Sequence, residues 1–380
     1  MASYFIGDAL QLARVPEPLD ISAEIKQYGA NNLYPQIVHA IMLRSPLTKS
    51  AVKLLSDFFR GDGFTNQGET VLNRYGDTLN DVLKKAAEDL AEFRGFAIHL
   101  NFTPGGVPVE LTPVPFEYCR LGLPDDTGLS TDIKISNNWE GATISGELEN
   151  VATFPIYSPM NKKVSNEGAI YYYSDLGPAR YPLCSFDPIL DNAQSDAEAQ
   201  LFEVNNLVNG FHGGTIFKHY GPFEDDRAKD RFIDQVNAMT GAKGGNSSLI
   251  LEVDEVLAGQ NLIESLPANS IDTLFSQTTI NIRDRVLQYF NIPGGLFAVA
   301  PQGSVFTVTE LGSSYVYMNL RTRNDRRILE RFFNKFIPAG EIKINSFESD
   351  QVLNEVTPQT GAAPVPDPTP PVTNPEDLAQ

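Results

Sequence analysis

The sequence predicts an α+β protein in which a helix-and-sheet domain precedes two long amphipathic helices that flank a small α/β insert, followed by a C-terminal helix and a disordered tail. Apolar residues at helical spacing, with clear end signals, predict the long helices. Alternating apolar residues in the first half predict an antiparallel sheet. The 380 residues are 42% hydrophobic and 20% charged, which is typical of a folded protein with two or three domains.

The charge and cysteine content restrict the function. A formal net charge of −19 argues against a protein that wraps nucleic acid with a basic surface, but not against a channel through which DNA slides. Cys119 and Cys184 lie far apart without metal-ligand spacing, so we interpret them as reduced thiols of a cytoplasmically made protein. A basic-then-apolar leader and a long apolar run are both missing from the sequence, so neither secretion nor a membrane span is predicted.

The first domain is predicted to begin with an irregular arm over residues 1–35, which are rich in turn-forming proline and asparagine. Ser45-Pro46 is predicted to begin a helix that ends at Gly61. A second helix is predicted from Thr78 to Gly95, because Thr78 and Asp81 fit a capping box.

Strands follow these helices. Alternation over 96–102 predicts a half-buried strand, and Pro104-Gly105-Gly106 predicts a hairpin turn into a second strand at 107–111. Short strands separated by prolines are predicted as far as about Tyr181. Residues 1–186 are therefore predicted to form helices packed on a broken antiparallel sheet.

The two longest helices are predicted at 187–211 and 269–290. Asp187 can cap the first helix and Pro188 fits its first turn, while Asn-Ile-Pro-Gly-Gly at 291–295 ends the second. At 1.5 Å per residue each spans roughly 30 to 35 Å, which is long for a globular protein. A narrow apolar stripe on such a helix needs a partner surface, so we expect copies of the chain to associate. The side chains expected at the interface are Leu190, Leu201, Val204, Val208, Leu274 and Ile282.

Between and after these helices the predicted elements are short. Strands are predicted at 215–218, 248–253 and 262–266, with a helix over 224–240. The segment 294–307 contains three glycines and Pro301, and is predicted to be a flexible loop before a last helix from about Thr309 to Phe336. The proline-rich tail from Thr357 is predicted to be disordered.

Catalytic chemistry is not indicated. The loop at 240–248 resembles a phosphate-binding loop, but Lys243 is not followed by Ser or Thr. His212 and His219 lack further ligands in register, and adjacent carboxylates in predicted turns are interpreted as caps or solvated charge. The sequence thus predicts a protein that is not an enzyme and binds no cofactor or metal.

One basic cluster interrupts the acidic background. Two interpretations stay open: a solvated helix face, or a surface that meets an acidic neighbour or phosphate. Its members, offset by Asp325 and Glu330, are Arg321, Arg323, Arg326, Arg327, Arg331 and Lys335.

The order and spacing of these parts resemble the portal proteins of tailed bacteriophages, the head-tail connector family. The resemblance covers roughly residues 35–340 and includes VLQYFNIPGGLF at 286–297 and RTRNDRRILERFFNKFI at 321–337. Gly294-Gly295 departs from the family pattern, which has a second proline there.

This resemblance implies a ring, usually of twelve copies, at one vertex of a capsid, with a channel for DNA packaging and ejection. Its parts would be a wing at 1–186, stem helices at 187–213 and 269–290, a clip at 214–268, a tunnel loop at 291–308, a C-terminal wing or crown region at 309–345 and a tail at 346–380. In the tunnel loop, the residues expected near DNA are Phe297, Gln302, Gly303, Ser304 and Phe306.

The implied partners are other copies of the chain, double-stranded DNA passing without sequence recognition, the terminase large subunit, the major capsid protein and a head-tail adaptor, with no membrane. The implied location is the virion. Two alternatives remain: another structural head protein, such as a minor capsid or adaptor subunit, or a phage-encoded modifying enzyme. A central channel in particle images would separate the portal interpretation from both.

Overall fold

The computed structural model describes residues 19–20, 24–29, 31–64, 67–140, 151–159, 167–178, 180–209, 215–220, 225, 227, 229–231, 248–253, 263–265, 271–297, 308–337 and 342–347. For 205–209, 215–220, 248–253, 263–265, 271–276 and 308–309 the backbone alone is described. Residues 1–18 of the arm predicted over 1–35, residues 298–307 of the loop predicted over 294–307, and the tail from Thr357 lie outside the described residues.

Three helices build the first domain: α1 (Tyr34–Arg44), α2 (Pro46–Arg60) and α3 (Leu79–Phe93). The Ser45 hydroxyl accepts a hydrogen bond from the Thr48 amide at the start of α2, and Gly61 ends that helix with a φ of 55°. Thr78 and Asp81 form the predicted capping box of α3, so both predicted helices are confirmed.

Helix α1 is absent from the sequence-based predictions. It follows a small antiparallel ribbon of β1 (Leu19–Asp20) and β2 (Ile25–Lys26). Pro35 occupies its first turn, and its buried face carries Val38, Ile41 and Met42 at helical spacing. This spacing could have revealed the helix, but the turn formers just before it favoured an irregular arm.

Two antiparallel sheets of three strands complete the domain. In the first, β3 (Gly95–Phe102) lies between β4 (Pro108–Val114) and β8 (Ala169–Ser174), which confirms the predicted hairpin. The second sheet has the order β5 (Cys119–Leu121), β6 (Asp132–Ile135), β7 (Ala152–Pro155).

The prediction that β3 is half-buried is wrong for its first half. Successive residues 95–98 are all buried, so both faces of the strand are covered. Phe96, for example, contacts Phe332 of the C-terminal region with a ring-centroid distance of 5.6 Å. The alternation in the sequence fails here because helices pack where solvent was expected.

The two long helices are present as α4 (Leu190–Asn209) and α5 (Ile271–Phe290), which pack against each other. A 3-10 turn at Asp187–Ile189 precedes α4, and the residue at its N-cap position is Phe186 rather than Asp187. The Asp187 carboxylate instead accepts a bond from the Tyr34 hydroxyl at 2.9 Å. The predicted N-cap position is therefore corrected from Asp187 to Phe186, and Asp187 makes a tertiary contact with α1.

The insert between α4 and α5 contains the three predicted strands. Strand β9 (Thr215–Tyr220) pairs in parallel with β10 (Ser248–Val253) and antiparallel with β11 (Ile263–Ser265). Of the helix predicted at 224–240, the described residues 227 and 229–231 are helical.

The last predicted helix is instead two helices, α6 (Val308–Arg321) and α7 (Arg323–Phe336). The break is at Thr322, whose buried hydroxyl donates to the Met318 carbonyl at 2.7 Å. The chain then returns to the first domain, where Asn345 donates its backbone N–H to the Gly63 carbonyl at 2.9 Å. These contacts join the C-terminal region to the core formed by α1, α2 and α3.

Candidate functional site

The apolar stripe of α4 changes its environment along the helix. Leu190, Ala193 and Ala197 are buried in the core of the chain. Further along, Leu201 and Val204 are 50% and 53% exposed. At the start of α4 the stripe therefore packs into the chain's own core. Further along the helix, no described residue covers it.

The remaining predicted interface residues divide in the same way. Ile282 of α5 is buried in the core, as Leu190 is, so neither is available to a second copy. Val208 and Leu274 lie on α4 and α5, where the structure describes their backbone alone. On the described parts of α4 and α5, two further apolar side chains are exposed that were not predicted as interface residues: Phe202 is 41% exposed and Ile280 is 38% exposed.

The core ends of α4 and α5 are fixed to the first domain by buried polar contacts. The Ser45 hydroxyl donates to the Asp196 carboxylate of α4 at 2.7 Å. The Tyr289 hydroxyl of α5 donates to the Ser185 carbonyl at 2.8 Å. These bonds link both long helices to the first domain near their buried ends.

The chain leaves α5 through a tight turn. Asn291 adopts a positive φ of 48°, and the Ile292 amide donates to the Leu287 carbonyl at 3.0 Å. A 3-10 helix at Gly294–Phe297 follows, where the sequence predicted a flexible loop. Phe297 is half-buried against the core. The other residues expected near DNA, Gln302, Gly303, Ser304 and Phe306, lie outside the described residues.

The basic cluster does not form one uniform face. Arg326 is buried, contrary to the predicted solvated or docking surface, and its guanidinium donates to the carbonyls of Phe58 and Asn319 at 2.9 and 2.6 Å. Lys335 places its ammonium 4.6 Å from the centre of the Tyr157 ring. Arg321 is half-buried.

Three arginines of the cluster remain on the surface: Arg323, Arg327 and Arg331 are exposed at intervals of four residues along α7. In the described part of the chain they have no ion pair. Like charges at this spacing destabilise a helix slightly, so an acidic partner surface would stabilise it.

Two acidic side chains of α3, Asp89 and Glu92, have carboxyl groups that are largely shielded from water. The His39 Nδ1 and the Glu92 carboxylate are 2.8 Å apart, and this hydrogen bond raises the pKa of His39. Burial raises the pKa of Glu92 above its ordinary value. Although part of Asp89 is exposed, burial of its carboxyl group raises its pKa well above the usual range.

The described residues do not bring potential metal ligands together. No three His, Cys, Asp or Glu side chains there are placed to hold a metal ion. Burial raises the pKa of both cysteine thiols to about 12, which keeps them protonated and unreactive. Among the described helices, none is long and apolar enough to cross a membrane.

No protein-family model matches the chain, and no curated protein matches its sequence. Among solved structures it is similar to a chain in the virion of a native gene transfer agent particle, with a TM-score of 0.50 and 13% identity over 84% of this chain and 86% of that chain. It is also similar to an HK97-family phage portal protein from Corynebacterium diphtheriae, with a TM-score of 0.48 and 12% identity over 84% of this chain and 98% of that one. It is similar, too, to a chain in the neck of an empty gene transfer agent particle, with a TM-score of 0.48 and 13% identity over 83% of this chain and 84% of that one. The likeness to the virion chain shows a shared fold.

Proposed function

We propose that the chain is the portal subunit of a phage-like particle, a structural and non-enzymatic component that assembles into a ring at one capsid vertex. The observation that carries the proposal is the apolar stripe of α4, which leaves the chain's own core after Ala197 and continues exposed through Leu201 and Val204. A ring supplies each copy with a neighbour that covers this surface. The sequence resemblance to portal proteins and the fold shared with a virion chain support the same function.

In this proposal the described elements take the parts of a portal subunit. The domain over residues 1–186 is the wing, α4 and α5 are the stem, and the insert at 214–268 is the clip. Residues 291–308 are the tunnel loop, 309–345 return to the wing or crown, and 346–380 form the tail. The rigid contacts of Asp187 and Asp196 with the wing suit a stem that must keep its angle in a closed ring.

The channel would carry double-stranded DNA without reading its sequence. The acidic balance of the chain and a tunnel loop without Lys or Arg both reduce binding to phosphates, which would slow sliding. The proposed partners are the terminase large subunit, which supplies the energy for packaging, together with the major capsid protein and a head-tail adaptor. The subunit would be made in the host cytoplasm and reside in the virion, in a ring of twelve copies as the family resemblance implies.

The experiment is to purify the full chain and examine it by negative-stain electron microscopy and sedimentation velocity. We expect closed rings with a central channel. Leu201→Asp and Val204→Asp each place an unpaired charge in the proposed interface, at a cost of several kcal/mol, and should yield monomers.

Val109→Asp is the matched control, because Val109 is 61% exposed on β4 of the first domain and belongs to neither stem helix. It should form rings like the unmodified chain. A chain that stays monomeric at all concentrations, or stem variants that assemble as well as the control, would exclude the proposed ring. Particles without a channel would favour another structural head protein.

A further inference from the structure

A cavity of about 370 Å³ lies where the end of α5 meets the junction of α6 and α7. Its polar lining comes from five residues distant in sequence: Arg94, Ser185, Tyr289, Arg321 and Asp325. Aromatic and aliphatic side chains of α2 and α5 form the rest of the wall. We call this cavity the Arg321 pocket. Its volume and its mixture of apolar walls with a few polar groups are typical of sites for small ligands.

The two guanidinium groups in the pocket differ in their pairing. Arg94 donates to Asp325 at 2.9 Å and to Asp175 at 3.0 Å, so two carboxylates compensate its charge. Arg321 is half-buried, and burial lowers its pKa. Within the described residues it has no ion pair and no hydrogen bond. The N–H donors of Arg321 are therefore not engaged by any described residue, although the Asp325 carboxylate still acts on this guanidinium electrostatically.

Ser185 provides a second unsatisfied group. Its hydroxyl oxygen is shielded from solvent and has no hydrogen-bond partner in the part of the chain that the structure describes. A buried polar atom without a partner costs free energy comparable to a lost hydrogen bond. Rotation about the Cα–Cβ bond of Ser185 would bring its hydroxyl to the pocket surface, where a bound group can supply the missing acceptor.

We infer that the Arg321 pocket binds a single carboxylate group. Guanidinium is a planar donor that pairs with carboxylate through two parallel hydrogen bonds, and the Ser185 hydroxyl adds a third donor. A phosphate dianion fits less well, because the Asp325 carboxylate lines the same cavity and would repel a second negative charge. The apolar walls favour a carboxylate on a short aliphatic stem.

Two sources can provide such a group: a free organic acid, or a Glu or Asp side chain from a second copy of the chain. The first arm of the test measures thermal unfolding of the full chain with increasing sodium butyrate, against sodium chloride at the same ionic strength. A free-acid site gives a saturable rise in Tm that chloride does not reproduce. Arg321→Gln should weaken this binding at least tenfold.

Arg323→Gln is the matched control, since Arg323 lies two positions away, is exposed and loses the same charge. It should respond to butyrate as the unmodified chain does. Arg321→Lys keeps the charge but not the paired donors. It should therefore bind butyrate more weakly than the unmodified chain and more tightly than Arg321→Gln. This second variant keeps the test decisive if Arg321→Gln folds poorly.

The second arm measures self-association by sedimentation velocity. If an acidic side chain of another copy fills the pocket, butyrate competes with association, and Arg321→Gln shifts the equilibrium toward monomer while Arg323→Gln does not. This result can be distinguished from a failure of the ring proposal, because in that case the unmodified chain would not associate at all. If butyrate has no specific effect in either arm and Arg321→Gln behaves as Arg323→Gln, the inferred site is wrong.

Discussion

The Ser45 hydroxyl lies 2.7 Å from the Asp196 carboxylate, although 151 positions separate the two residues. Ser45 caps α2 and is fully buried, and Asp196 is 4% exposed on α4. The Asp196 carboxylate also accepts the Leu47 amide at 3.3 Å. One buried side chain thus joins the start of a first-domain helix to the proposed stem.

Removing that carboxylate should destabilise the chain. Asp196→Ala leaves the Leu47 amide without its acceptor and the Ser45 hydroxyl with only the Thr48 hydroxyl, so we expect a loss of about 1 to 3 kcal/mol in the free energy of unfolding. Urea unfolding followed by circular dichroism measures it. Glu198→Ala, on the exposed side of the same helix, should change the free energy by less than about 0.5 kcal/mol. Equal effects of the two variants would show that the contact contributes nothing specific.

Arg326 and Arg327 should respond oppositely to truncation although they are adjacent. Arg326→Ala removes the guanidinium donor from the buried carbonyl of Phe58 and the partly buried carbonyl of Asn319, and we expect a loss of about 2 to 4 kcal/mol in the free energy of unfolding. Arg327→Ala removes an exposed charge from the Arg323, Arg327, Arg331 row, and should be neutral or slightly stabilising, by about 0.2 to 0.5 kcal/mol. The Tm of each variant tests this. A destabilising Arg327→Ala would show that this arginine makes a contact in the assembled protein.

The buried groups around Asp89 predict a stability that falls as pH rises. The folded-state pKa values of Asp89, Glu92 and His39 are all raised, so the folded chain binds these protons more tightly than the unfolded chain. The stabilisation from this tighter proton binding is complete below the pKa values of the unfolded chain, which are about 4 for the carboxyl groups and about 6.5 for histidine. It is lost as the pH rises through the higher pKa values of the folded chain. Asp89→Asn should therefore raise the Tm at pH 7 more than at pH 4.

Glu110 gives a control of opposite sign. Hydrogen bonds from Arg74 lower the pKa of Glu110 to about 2, so its contribution is present above its unfolded pKa and is lost as pH falls toward 2. Glu110→Gln should thus lower the Tm at pH 7 and have little effect near pH 2. If Asp89→Asn changed the Tm equally at every pH, burial of its charge would not be the cause.

The tunnel-loop proposal predicts an effect of added charge on DNA movement. Gln302→Lys with Ser304→Lys introduces phosphate contacts at the proposed narrowest part of the channel, so packaging or ejection should slow at low salt and recover as salt rises. DNA packaging into particles at several salt concentrations measures this.

The paired control is Val107→Lys with Val109→Lys, which adds the same charge at the same spacing on an exposed part of the first domain. Rings should form from both double variants. If the 302/304 variant packages DNA at the parental rate at low salt, these residues do not lie near DNA.

The sequence by itself determined the elements whose signals are local. The capping box of Thr78 and Asp81, the Ser45 cap of α2 and the strands at 215–220 and 248–253 were all predictable, because a cap or a repeat is completed within a few residues. The order of these elements also carried the resemblance to portal proteins.

Only the tertiary structure decided how the predicted surfaces are used. Periodicity places Leu190 and Leu201 on one stripe of α4, but the first is buried in the chain's core and the second is half exposed. Composition does not distinguish Arg326 from Arg327, yet the first meets the Phe58 carbonyl, 268 positions away, and the second lies on the surface. The physical reason is the same in both cases: burial and pairing depend on contacts between residues far apart in sequence, which local patterns do not encode.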